Sequence, residues 1–423
     1  VVKTFHPLGL LSSRIELAPE SRVRVEREQD RGDLSAAKPN GGATSARLSA
    51  DALVAAAAHA ALRTPLGFPP FARATVPGDR LAIAVDESVP LAASVVRGAL
   101  DAAAEAGIST DATSIVTGNA ELAETLRAVV NEASGEAVQV VLHDPDDPNN
   151  LCPVGQARPG EWLRINRTLF DADVVLPIGC ARLPSVIDGG SVYDSLFPRF
   201  SDTATIARLR TPSQRESAEQ LRAARLQADE AGWLLGVLMV MQVVPGSDGS
   251  VAEVAAGEPR AVAEHCQETC RQLWSMRAVR RASLVIATIT GGRIEQRWDN
   301  VARALAAAEC LVQDGGAIAI CSNLETPPGR SLRRLVGSGD WARVERRAAN
   351  DDSADSWTAR RLAQLLERGP VYLLSQLEAE TVEEMGLAPV ADLEELTRLA
   401  RRHESCIVLD DSQHAVATVA GES

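Results

Sequence analysis

The run Val174-Val175-Leu176-Pro177-Ile178 is apolar at every position, is closed by Gly179, and opens into an irregular stretch carrying Gly189-Gly190. A strand without polar alternation is buried on both faces, which means a central strand of a parallel sheet covered by helices. A buried strand that ends in a glycine loop is also where α/β proteins place ligands. The same pattern recurs upstream. Leu81 to Val85 is an apolar run ending at Asp86, followed by a predicted helix from Leu91 to Ala106 that Gly107 closes. A strand at Ser114–Val116, the turn Thr117-Gly118-Asn119, a helix from Glu121 to Asn131, a strand from Ala137 to Leu142 and a polar loop from Asp144 to Asn150 continue it. This rhythm predicts a parallel sheet with helices on both faces, its functional groups at the strand ends Asp86, Thr117-Gly118 and Gly179.

Outside that core the pattern is more varied. Alternation from Ser13 to Glu26 reads as a β-hairpin, Glu28 to Ala46 as a loop, and Ser49 to Leu62 as a helix. A helical region is expected over Pro212–Trp233, then a buried strand over Leu235–Val244, a turn at Asp248-Gly249, a returning strand at Val251–Val254 and a helix over Ala261–Met276. A second strand–helix series follows: Leu284–Ile289, helix Ile294–Leu311, Ala317–Cys321, helix Ser356–Leu366, Val371–Leu374, helix Leu393–Arg402 and Ile407–Leu409. A chain of 423 residues exceeds what one hydrophobic core usually organises. The expected fold class is therefore α/β with two domains, residues 1–276 and 277–423, each a mostly parallel sheet flanked by helices, with a ligand cleft between them.

Composition narrows the function classes. A formal charge of −14 argues against nucleic acid and anionic membranes as partners. No apolar stretch is long enough to span a bilayer; Trp233 to Val244 is short and broken by Gly236 and Gln242. No signal-peptide pattern precedes the first domain, and a start at Val1 rather than Met leaves open residues upstream of this numbering. Seven cysteines, several inside apolar runs, suggest reduced thiols and a cytoplasmic protein. A homo-oligomer is compatible with all of this.

The stretch Ile165–Pro198 (INRTLFDADVVLPIGCARLPSVIDGGSVYDSLFP) resembles the core signature of the lactate racemase family, nickel-pincer-nucleotide racemases and epimerases of 2-hydroxy acids. The resemblance runs along nearly the whole chain. It implies a Lys after Asn166 that bonds covalently to the cofactor, where this chain has Arg167. It implies a nickel-ligating His in the loop after Gly179, where Pro184 or a neighbour stands, and a catalytic His where Ala120 stands. The family's Asp-x-Thr-Arg-Pro phosphate motif corresponds to Asp86-Glu87-Ser88-Val89-Pro90, without its Arg. Its Gln and Lys for the substrate carboxylate correspond to Asn300 and Arg303, which three-residue spacing puts on one face of a helix. The cofactor-side candidates are thus Asp86, Ser88, Arg167, Gly189 and Gly190, and the substrate-side candidates Asn300 and Arg303.

Each candidate has a plainer reading. Ser88 and Pro90 can simply start a helix. Asn119 suits a helix N-cap, Arg167 a surface ion pair, and Asn300 with Arg303 a polar helix face. Cys180, like His265, Cys266 and Cys270, is more in keeping with packing than with metal binding. An Arg stays protonated and cannot form the covalent link, and no assigned residue supplies a catalytic His. No bound cofactor and no metal are therefore expected. Three functions stand open: a divergent racemase-like isomerase, a non-catalytic binding or regulatory protein keeping a small-carboxylate or phosphate pocket, and an oligomeric structural partner whose cleft is vestigial. Whether His143 folds into the cleft is not decided by the residues.

Overall fold

A computed structural model describes residues 21–27, 50–134, 137–158, 161–185 and 187–421. The predicted loop at Glu28–Ala46 and most of the Ser13–Glu26 hairpin lie outside the described residues.

The first sheet has six strands, in the spatial order Gln139–Leu142, Thr113–Thr117, Leu81–Val85, Val174–Cys180, Val240–Pro245 and Val251–Gly257. All neighbours are parallel except the last pair, an antiparallel hairpin around Asp248-Gly249. Both turn residues have positive φ, 56° and 72°, which relaxes a tight reversal. Alternation along Leu81–Val85 divides the side chains. Leu81, Ile83 and Val85 pack with Val54, Ala58, Leu62, Val95 and Leu126 from helices Ala50–Arg63, Ala92–Glu105 and Ala120–Ser134. Ala82 and Ala84 face a different core, with Phe197, Phe200, Ala228, Val262 and Cys270.

The second sheet has five parallel strands, ordered Ala388–Pro389, Val371–Leu374, Val312–Cys321, Ala282–Thr288 and Cys406–Leu409. Its Val285, Ala287, Ile318, Ile320 and Leu373 join the same core as Ala82 and Phe197, so one apolar mass runs between the two sheets. The opposite face packs Leu284, Ile286 and Ala319 against Leu396 and Ala400. A three-stranded sheet closes the molecule: Ser275–Ala278 pairs parallel with Val416–Val419 and antiparallel with Val25–Arg27. The α/β class with parallel-rich, helix-flanked sheets is thus as expected.

Several boundaries differ from the sequence reading for local reasons. The helix expected from Pro212 starts at Ala218, because Ser217 and Gln220 form a reciprocal capping box. It runs on to Leu234, and Gly236, at φ 67°, ends it, so the strand expected from Leu235 begins only at Val240. The helix expected from Ile294 begins at Trp298, after a 3-10 turn at Arg293–Glu295. Helix Trp341–Ala349 and the antiparallel pair Leu151–Arg158 and Glu161–Asn166 were not foreseen. Proline and glycine at Pro153 and Gly155 interrupt the alternation that would have announced the pair.

Helix Ala92–Glu105 crosses Ala50–Arg63 at Gly98, where a Cβ would lie 2.1 Å from the Ala55 carbonyl oxygen and 2.8 Å from the Ala58 Cβ. Glycine is therefore required by close approach, not by a turn. Gly98→Ala is expected to destabilise by about 2 kcal/mol through overpacking, although the same change in an open helix stabilises by about 1 kcal/mol. Urea unfolding decides the sign, and a stabilised variant would mean that the two helices separate freely.

Candidate functional site

The first sheet's strand order reverses between Leu81–Val85 and Val174–Cys180. Successive connections leave in opposite directions there, so a crevice opens at their C-terminal ends. Asp86, Glu87, Gly179 and Cys180 stand at that crevice and help line a cavity of about 400 Å³. Arg297, Asp299, Arg303 and Trp357 from the second half close its other side.

Asp86 is 6% exposed. One carboxylate oxygen accepts the Ser88 backbone N–H at 2.7 Å and the Ser88 hydroxyl at 2.9 Å. The other pairs with Arg199 at 3.1 Å. The reading of Ser88 as a helix cap is therefore corrected: the helix begins at Ala92, its N-cap is Leu91 at φ 49°, and no side chain caps it. Ser88 instead completes a turn closed by Asp86. Glu87 lies between Arg199 at 3.2 Å and Arg297 at 2.9 Å. Burial alone would raise its pKa, but the two guanidinia outweigh burial and hold it at about 2.

The Gly-Gly loop also belongs to the cavity wall. A Cβ on Gly189 would press on the Asp194 carboxylate at 3.0 Å, and one on Gly190, at φ 86°, on Pro184 at 2.9 Å. Asp188 in this loop takes a two-pronged contact from Arg303, with Nη2 at 2.6 Å and Nε at 3.1 Å. Arg303 holds Asp188 well below the ordinary carboxylate range despite burial. Arg303 also donates to Asn300 Oδ1 at 2.9 Å, while Asn300 Nδ2 donates to Glu295. Asn300 and Arg303 do converge, as their spacing implied, but on protein groups: Asp188 already supplies the carboxylate.

The remaining candidates lie apart. Arg167 is exposed and donates from Nε to the Asn149 carbonyl at 2.7 Å; it is not on the cavity wall. Ala120 is an exposed first helical residue. Asn119 accepts the Leu122 N–H at 2.9 Å and is an N-cap. Cys266 and Cys270 are buried packing residues, His265 pairs with Glu253, and all seven cysteines are free. Among the described residues no cluster of three His, Cys, Asp or Glu could hold a metal ion. No described helix is long and apolar enough to cross a membrane.

His143 does fold onto the cavity wall, a placement that no local motif announced. Its hydrogen bonds define its state. Asn166 Oδ1 accepts the Thr168 N–H, so its Nδ2 faces His143 Nδ1 at 3.1 Å and must donate to it. Nδ1 therefore carries the lone pair, and Nε2–H donates to the Ser201 carbonyl at 2.9 Å. Both nitrogens are engaged, and burial lowers the pKa.

Residues 35–207 match the family model of the lactate racemase N-terminal domain. The lactate racemase of Thermoanaerobacterium thermosaccharolyticum is 22% identical over 303 residues, 69% of this chain and 70% of that protein. The chain is thus similar to the lactate racemase family, most clearly over residues 35–207, and diverges from it. The apoprotein structure of the same racemase superposes with a TM-score of 0.68 at 20% identity, over 86% of this chain and 92% of that one. A crystal structure of a Thermotoga maritima protein superposes with a TM-score of 0.62 at 14% identity, over 87% of this chain and 98% of that one. Against that family background one count stands out: the sequence has two lysines, Lys3 and Lys38, both outside the described residues.

Asp194 is the cavity's titrating carboxyl. Burial raises it from 3.8 to about 6, against the partial relief of Arg215 and two backbone N–H groups. The folded state therefore binds this proton more tightly than the unfolded state, and the associated stability falls as pH rises from about 4 to about 6. Asp194→Asn removes that dependence. Its unfolding free energy relative to wild type is expected to rise between pH 4 and pH 6.5 and then level off, as urea melts at several pH values would measure. A constant difference would place the Asp194 proton elsewhere.

Proposed function

We propose that this protein binds a small carboxylate or phosphate in the family pocket without performing nickel-dependent racemisation. The observation that carries the reading is the absence of lysine from every described residue. The family's cofactor is held through a covalent bond to an amine, which must lose its proton to act as nucleophile. A guanidinium stays charged throughout the accessible pH range. Arg167 therefore does not suit that role, and its side chain serves Asn149 instead.

The other groups near the pocket point the same way. Metal binding needs a free imidazole lone pair, and His143 spends its own on Asn166. A thiolate ligand would need an accessible deprotonated sulfur, but burial pushes the Cys180 thiol up to about 12. These residues do not fit a nickel-pincer nucleotide. What the pocket does retain is guanidinium and backbone chemistry suited to an oxyanion. Free thiols throughout the chain suit a cytoplasmic protein.

The test uses the full chain produced in cells that make the family's cofactor. Intact-mass measurement should give the unmodified polypeptide, elemental analysis should give nickel far below one per chain, and lactate enantiomers should not interconvert. A pyridine-derived adduct with stoichiometric nickel would overturn the reading. The complementary expectation is a rise in melting temperature with millimolar phosphate or a 2-hydroxy acid.

A further inference from the structure

Six arginines line the pocket; Arg210 is exposed, and the other five differ in whether a carboxylate pairs with them, although Arg199 and Arg297 also leave a buried Nε without an acceptor. Arg199, Arg297 and Arg303 are each matched to a carboxylate. Arg182 and Arg215 form no ion pair among the described residues. Arg182 Nη1 reaches only the Gln413 carbonyl and His414 Nδ1, both at 3.3 Å, while its buried Nη2 has no acceptor. That contact requires His414 to be neutral, and burial holds it well below its ordinary range. Arg215, 9% exposed, donates to the Ile187 carbonyl at 2.9 Å, and its Nε is unaccepted. A third unpartnered group belongs to the same wall: the Ser195 hydroxyl, on a residue 3% exposed.

Asp188 relates these groups. It touches Arg303, yet it also feels the charge of Arg182, and Arg215 feels both Asp188 and Asp194. Three guanidinia thus share this corner with Asp188 and Asp194, and Arg303 also feels Asp299; burial acts against both loop carboxylates, but only at Asp194 does it prevail over the neighbouring cations. Cationic excess, unaccepted buried N–H groups and a free hydroxyl in one cavity make an oxyanion the matching occupant. A buried donor without an acceptor is costly, and a ligand oxygen would remove that cost.

We propose that a compact oxyanion binds at Arg182 and Arg215, with the Ser195 hydroxyl as a third donor, and that Asp188 competes with it as a built-in carboxylate. This deepens the pocket reading above and rests on it. The anion site lies on the Gly-Gly loop side, and Arg303 is engaged internally. A carboxylate and a phosphate present the same oxygen edge, so both are probes.

Calorimetric titration of the full chain with inorganic phosphate and with L-malate tests the assignment. Wild type is expected to bind at least one of the two, and Asp188→Asn to bind it about tenfold more tightly. Arg182→Gln is expected to lose about tenfold or more, and Arg215→Lys, which keeps charge but not the fork, a smaller factor. Arg182 makes only long hydrogen bonds, so its variant should fold; if Arg215→Lys does not, Arg182→Gln and Asp188→Asn decide the matter. Wild-type affinity persisting within twofold in Arg182→Gln, without tightening in Asp188→Asn, would overturn this site while leaving the pocket reading intact. Neither probe binding to wild type or Asp188→Asn would overturn both.

Discussion

Glu87 holds the pocket's two sides together. Its carboxylate follows a strand of the first sheet, yet one of its two guanidinium partners, Arg297, precedes a helix of the second half. Removing a carboxylate from water costs several kcal/mol, on the order of what one good ion pair recovers. Two arginines shift that balance, as the depressed pKa of Glu87 records. The contact fixes a distance between the halves that apolar packing alone would leave adjustable, because hydrophobic contact is non-directional. Asp188 and Arg303 make a second such contact from loop to helix. The cavity's shape is therefore set by charge pairing across it, while the shared core beneath supplies the bulk of the cohesion.

The same pairing explains how buried cations can line a cavity without a ligand. A pocket that holds a charged ligand must compensate it, and on losing the ligand it would be left with costly buried cations. Arg303 escapes that cost because Asp188 occupies it. Asn300, a neutral buried amide, is satisfied by donating to Glu295. The helix that was expected to read a substrate carboxylate thus reads the protein's own.

Much of the fold was legible in the sequence, and the reason is periodicity. Leu81–Val85 and Val174–Ile178 announce doubly buried strands, and the helices between them carry their own apolar stripes. The turn at Asp248-Gly249 and the N-cap at Asn119 were legible because their chemistry is local. Element ends were not, since Ser217 caps through a partner three residues on and Gly236 acts by backbone freedom. The site was legible only in part. Asp86 and the Gly-Gly loop sit at strand ends, where topology alone predicts a ligand. His143, Asp188, Arg199 and Arg215 enter by long-range pairing, which no spacing in the chain encodes.

His143 illustrates how far residue type underdetermines chemistry. An imidazole on a cavity wall invites assignment as a proton shuttle. Here one amide decides otherwise. Because Asn166 must use its carbonyl to cap Thr168, its NH₂ is the group left to meet the ring, and the ring has one nitrogen left to donate. That donor goes to the Ser201 carbonyl. To shuttle a proton the ring would have to release one of these two bonds inside a buried environment, at the cost of an unsatisfied polar group. The imidazole is better described as a strut between the helix start at Asn166 and the segment at Ser201. A catalytic role would require a ligand that pays for breaking that bond.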